Sequence, residues 1–166
     1  MNTEKIYPVN FSHIGITVPD LEKAVDFYVK VMGWYHVSGP IKVKEKDQES
    51  RLSLISRNLY GKDWGSFRFS HLANAAGVGF EIFEFENDKT TRSINDSFKT
   101  GITHFEVQDP NIKVLMARIV KYGGQQKSDL LELAPGEKPF KMVYMEDPFG
   151  NPIEIYTHSY IQQNSF

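Results

Sequence analysis

Cysteine is absent from this chain. That excludes disulfides, thiolate zinc sites, iron–sulfur clusters and a catalytic thiol, so any metal has to be held by nitrogen and oxygen donors. A long apolar run is missing too. Nothing approaches the roughly 18 consecutive apolar residues of a membrane span, and the amino-terminal MNTEKIYPVN lacks the apolar core of a signal peptide. The expectation is a cytoplasmic protein with no membrane partner. A basic stripe is also lacking: the formal net charge is −2, with both signs spread along the chain. This argues against nucleic acid as a partner and leaves small molecules. The 166 residues suffice for one well-filled domain or for two small modules sharing a core.

What the chain does contain is one unit written twice. Phe11 to Thr17 alternates, with Ile14, Ile16 and Val18 on one face and Phe11, His13, Gly15 and Thr17 on the other, as in a strand. Pro19 ends it and Asp20 is placed to cap a helix. The stripe Leu21, Ala24, Val25, Tyr28 and Val31 has the 3.6-residue period, and Gly33 stops it. Subtracting 91 from ITHFEVQDPNIKVLMARIVKYGG maps His104 onto His13, Pro110 onto Pro19 and Gly124 onto Gly33. The same shift maps Ile112, Leu115, Met116, Ile119 and Tyr122 onto the first helical stripe. Strands are predicted over 34–43, 66–73 and 79–85 in the first half, and over 125–133, 140–146 and 152–157 in the second. The order is strand, helix, three strands, twice, which makes an internal repeat.

The boundaries follow: an N-terminal extension over 1–10, a first βαβββ module over 11–86, a linker over 87–100, a second module over 101–158 and a tail over 159–166. The last strands align at a shift of 73 rather than 91, so the first module carries about 18 extra residues. They lie in 45–65, where a charged loop precedes Leu52, Ile55 and Leu59 at helical spacing. This insertion reads either as a lid or wall over a cleft or as a helix patching one sheet edge.

In YMEDPFGNPIEIYTH, turn formers from Asp147 to Pro152 lead into a strand on which Glu154 stands between Ile153 and Ile155. GFEIFEF places Glu81 between Phe80 and Ile82 in the same way. A carboxylate on a hydrophobic strand calls for a partner. Histidine and glutamate thus occur as two matched pairs, His13 with Glu81 and His104 with Glu154. If the modules pack about a pseudo-twofold axis, four donors converge on a cleft. Two imidazoles and two carboxylates suit one divalent ion such as zinc, nickel, cobalt, manganese or iron(II), with positions left for water or substrate. Tyr156 and His158 share a face with Glu154 and are candidates to orient ligands or substrate. Glu106 shares the face of His104, but its repeat equivalent is Gly15, so symmetry argues against it as a ligand. His36 and His71 have no partner under the repeat and read as structural, with His71 the one placed to line the cleft. Arg57, Arg68 and Lys141 are candidates to hold an anionic substrate, and equally ordinary surface charges.

FSHIGITVPDLEKAVDFYVKVMGW, ITHFEVQDP and YMEDPFGNPIEIY together resemble the vicinal oxygen chelate superfamily. It includes glyoxalase I, extradiol catechol dioxygenases, methylmalonyl-CoA epimerase and bleomycin or fosfomycin resistance proteins. The resemblance implies an α+β fold, with two tandem βαβββ modules forming a curved mixed sheet around a metal cleft, and a homodimer. His13, Glu81, His104 and Glu154 match the ligand positions of glyoxalase I. There, ligand glutamates at the places of Glu81 and Glu154 are catalytic, and the one at Glu154 moves a proton while the metal steadies an enediolate. The implied function is a metal-dependent glyoxalase-type lyase or isomerase, similar to lactoylglutathione lyase. The alternatives are a ring-cleaving dioxygenase using iron(II) and a non-catalytic small-molecule-binding protein. Val143 to Glu154 fits the dioxygenase signature, but LAPGEKPFK lacks its upstream histidine and Glu81 fills the position that oxygen needs.

Overall fold

Asp20 sets the first turn of the molecule: its Oδ1 accepts the Lys23 backbone N–H at 2.9 Å, converting the end of one strand into the start of a helix. The computed structural model describes residues 7–87 and 100–165. Most of the expected linker over 87–100, and the first residues of the N-terminal extension, lie outside the described residues. Those up to Val25 together with Gly33–Asn87 form one compact unit, and Asp26–Met32 together with those from 100 onward form a second.

The first unit holds β1 (His13–Thr17), the start of α1 (Leu21–Met32), whose residues from Asp26 on belong to the second, then β2 (Tyr35–Lys44), α2 (Arg51–Tyr60), β3 (Ser66–Ala73) and β4 (Gly79–Phe85). The sheet order is β1-β4-β3-β2, with β1 parallel to β4 and the other pairs antiparallel. Helix α1 buries Leu21, Ala24, Phe27, Tyr28 and Val31; Phe27 takes the place that the stripe assigns to Val25, which is half-buried. The left-handed φ of +69° at Gly33 lets the chain leave the helix.

In the second unit, β5 (Phe105–Gln108) and α3 (Ile112–Lys121) precede β6 (Gln125–Gln126), β7 (Leu131–Ala134), β8 (Lys138–Glu146) and β9 (Pro152–Tyr156), and a short α4 (Tyr160–Asn164) follows. The order β5-β9-β8-β6, with β5 parallel to β9, reproduces that of the first sheet. Register repeats as well: Gly15 is opposite Glu81 and Glu106 is opposite Glu154. The strand expected over 125–133 is divided into β6 and β7, where the Lys127 and Ser128 N–H groups both turn to the Tyr144 carbonyl. The helix stop is also displaced. The positive φ, +91°, belongs to Gly123 rather than Gly124, because α3 has 10 residues where α1 has 12.

The insertion folds against the first sheet. Trp64 is buried with Val43, Phe67 and Phe69, and Ile41, Tyr60, Phe83 and Phe85 pack around them. Helix α2 is inside out: it buries Ser53 and Ser56 and leaves Leu52, Ile55 and Leu59 38%, 52% and 73% exposed. Small serines permit close approach, and Ser56 returns its hydroxyl to the Leu52 carbonyl at 2.8 Å.

Candidate functional site

Strand parity decides which groups meet in the first unit. On β3 and β4 the face that carries Phe67, Phe69, Phe83 and Phe85 also carries His71 and Glu81, so the aromatic cluster anchored by the insertion walls one side of the glutamate. His13 Nε2 stands 3.8 Å from Glu81 Oε2, and His71 Nε2 stands 3.4 Å from Oε1. Ser38 Oγ is 2.9 Å from His71 Nδ1. These residues line a hollow of about 360 Å³, to which Gly79 and Ser12 also belong. Glycine is needed there, since a Cβ on Gly79 would lie 2.9 Å from that of His13.

In the second unit His104 is the residue just before β5 rather than within it. Its Nε2 is 2.9 Å from Glu154 Oε2, and its Nδ1 is 2.9 Å from Thr103 Oγ1. Glu154 is buried, which a carboxylate tolerates only with partners. The phenols of Tyr144 and Tyr156 beside it are pushed up to about 12, Tyr144 chiefly through hydrogen bonding with the Glu154 carboxylate and Tyr156 chiefly by burial. Glu106 is raised by burial and by the neighbouring charge of Glu154. The Gln163 amide of α4 donates to Glu106 Oε1 at 3.1 Å.

Other candidates sit elsewhere. Arg68 is on the opposite face of β3 from His71, clasped by Glu22 of α1 and by Glu84; the one-residue parity of a strand takes it away from Glu81. Arg57 donates to the Asp47 carbonyl and to Ser53, and Lys141 pairs with Glu132 at 2.8 Å. His158 lies beyond the end of β9, with its ring 4.3 Å from that of Phe140 and Nδ1 2.8 Å from Thr157 Oγ1. It lines a separate hollow of about 410 Å³ with Lys113 and Lys141.

Two donors bound at about 2.1 Å to one ion lie about 3.0 Å apart at a right angle and about 3.4 Å apart at the tetrahedral angle. The His104–Glu154 and His71–Glu81 separations match these values, and His13–Glu81 is somewhat wider. Imidazole and carboxylate are the donor chemistry such ions take. The first two pairs therefore have the spacing of neighbouring ligands. Among the described residues no group of three or more His, Cys, Asp or Glu is placed to hold an ion.

Sequence reasoning missed three neighbours. Tyr144 faces Glu154 across β8–β9, a pairing the hairpin turn makes legible. Ser38 reaches His71 only through two irregularities in β2, which no spacing rule encodes. Gln163 lies in the tail, where only the Ser159–Gln162 capping box marks a helix.

The family model of the Glyoxalase/Bleomycin resistance protein/Dioxygenase superfamily matches residues 10–155. The chain belongs to this superfamily. No curated protein matches it in sequence. Solved structures share the superfamily fold at low identity. A glyoxalase family protein from Bacillus cereus superposes with a TM-score of 0.67 at 17% identity, covering 95% of this chain and 97% of its own. The fosfomycin resistance protein FosX from Mesorhizobium loti gives 0.57 at 17%, covering 96% and 100%. The trypanothione-dependent glyoxalase I of Leishmania major gives 0.58 at 16%, covering 90% and 87%. Membership brings a fold whose other members include enzymes, and no helix among the described residues is long and apolar enough to cross a membrane.

Proposed function

We propose that this superfamily member is a metal-dependent lyase or isomerase of glyoxalase type acting on a small oxygen-chelating substrate. His13, Glu81, His104 and Glu154 are the donors to one divalent ion, and Glu154 moves a proton between neighbouring substrate carbons. The observation that carries the reading is the doubled pair: in each unit a histidine two residues ahead of the position opposite a strand glutamate comes within ion-pair distance of that glutamate.

A divalent ion held by these donors supplies Lewis-acid stabilisation of negative charge on adjacent substrate oxygens. The chain's own residues do the rest. Glu154 is suited to proton transfer because its partners fix it in one orientation while its acceptor capacity exceeds the bonds it makes. Tyr144 and Tyr156 stand beside the carboxylate, and Thr103 orients the His104 ring. The aromatic wall of Phe69 and Phe83 keeps water from one flank of Glu81.

Dialysis against a chelator, followed by return of zinc, nickel, cobalt, manganese or iron(II) singly, tests the reading. Proton exchange at the carbon of an α-hydroxycarbonyl substrate, followed by NMR, is expected to stop and then resume, and Glu154→Gln in the reloaded protein to slow it about 10²–10⁴-fold. Unchanged exchange without metal would reject the mechanism. Oxygen uptake with catechols under iron(II) would replace it with ring cleavage.

A further inference from the structure

We propose that His71 is a positioning residue for Glu81, acting through a tautomer set by Ser38. The inference rests on the reading of Glu81 as a metal donor. Its first support is a single row across three strands. Ser38 of β2 is opposite His71 of β3, which is opposite Glu81 of β4. The side chains follow the row, with Ser38 Oγ 2.9 Å from Nδ1 and Nε2 3.4 Å from Glu81 Oε1. When Ser38 donates its hydroxyl to Nδ1, the ring proton is placed on Nε2 and points at the carboxylate. Phe69 meets the ring edge-on at 4.8 Å and limits its rotation. One carboxylate oxygen is thereby engaged, and Oε2 is left toward His13.

The second support is independent. The shift of 73 that maps Glu154 onto Glu81 also maps Tyr144 onto His71. Tyr144 is opposite Glu154 in β8–β9, and that carboxylate raises its phenol. His71 therefore has a repeat partner after all, in the hairpin register rather than the helix register. Both units set, directly across from the glutamate, a ring that carries a polar group on the side of the carboxylate. Two different side chains at equivalent places, each aimed at its glutamate, point to a retained role for the position. A ligating carboxylate oriented by an outer hydrogen bond holds metal more tightly, since its rotamer is already fixed.

The test reads cobalt(II) binding by the full chain, by titration calorimetry and visible absorption, with thermal melting to establish that each variant is folded. His71→Phe is expected to weaken cobalt binding about tenfold without moving the absorption bands, and His71→Tyr, which imports the residue of the second unit, to recover most of the loss. Ser38→Ala is expected to fall between wild type and His71→Phe. His13→Ala is the control and is expected to abolish binding. If His13→Ala loses cobalt while His71→Phe binds like wild type, the positioning role is wrong and the metal reading stands. If His71→Phe shifts the bands as a lost ligand does, the positioning role is equally wrong. If His13→Ala and His71→Phe both bind cobalt like wild type, the metal reading has failed and this inference falls with it.

Discussion

Tyr28 donates its hydroxyl to Asp147 Oδ2 at 2.7 Å, joining α1 to the turn that feeds β9. Asp147 is buried and its side chain accepts four hydrogen bonds: besides that of Tyr28, it takes the Phe149 and Asn151 N–H groups at 2.9 and 2.8 Å and the Asn151 side-chain amide at 2.8 Å. The turn that delivers Glu154 is thus organised by one carboxylate. Burial and that carboxylate together hold the Tyr28 phenol well above the ordinary tyrosine value.

Removing the hydroxyl leaves part of a buried charge unpaired, so Tyr28→Phe is expected to destabilise the fold by about 1.5–3 kcal/mol. Asp147→Ala strands several donors at once and is expected to cost about 3 kcal/mol or more. Chemical denaturation of the two variants checks the order; equal stability of Asp147→Ala and wild type would contradict the account.

Helix α2 makes an opposite prediction from an ordinary amphipathic helix. Its apolar residues are outside, so Ile55→Gln and Leu59→Gln are expected to change stability by no more than about 0.5 kcal/mol. Ser53 is fully buried, and Ser53→Leu is expected to destabilise by about 1–3 kcal/mol through overpacking. Thermal unfolding of the three variants is the measurement, and a reversed order would place the serines outside.

The repeat made most of the fold legible, because turn, stripe and alternation agree at two places in the chain. β3 and β4 fall on the residues their alternation marks, 66–73 and 79–85. The candidate site was legible as pairs, since parity alone puts Glu81 and Glu154 on the faces that meet His13 and His104. What parity cannot report is the role of the other face: Arg68 is excluded only when register with Glu84 is known. Ser38 was hidden by irregularities in β2, and the outward stripe of α2 by the fact that periodicity gives a face but not its direction.

Glu45 offers a pH-dependent test of the insertion. Its carboxylate accepts the N–H groups of Gly65 at 2.8 Å and Asp63 at 2.9 Å, closing the base of the segment. Those bonds, Gly65 first, draw its ionisation below the ordinary glutamate range. A lowered folded-state value means the contribution is complete above the pH where a free glutamate titrates, about 4.3, and is lost as pH falls through the folded value. Glu45→Gln is expected to reduce the difference in melting temperature between about pH 6 and about pH 3. An unchanged difference would show that the clamp does not hold in solution.

A close backbone approach in the first unit sets the place of His13. Gly79 is opposite His13 in β1–β4, its N–H bonds the Ser12 carbonyl at 2.8 Å, and an added Cβ would lie 2.9 Å from the His13 Cβ. Real carbon–carbon contacts do not close that far, so Gly79→Ala has to push His13 or the end of β1 outward. Overpacking of this kind costs about 1–3 kcal/mol, and under the proposed function it also matters for binding, because a donor displaced by about 1 Å would lose the geometry proposed for it beside Glu81. The variant is expected to stay folded, with melting lowered by a few degrees, while cobalt(II) binding weakens toward that of His13→Ala. Ala76→Gly, in the β3–β4 turn and away from both side chains, is expected to leave binding unchanged. Wild-type cobalt affinity in folded Gly79→Ala would show that His13 does not need its present place.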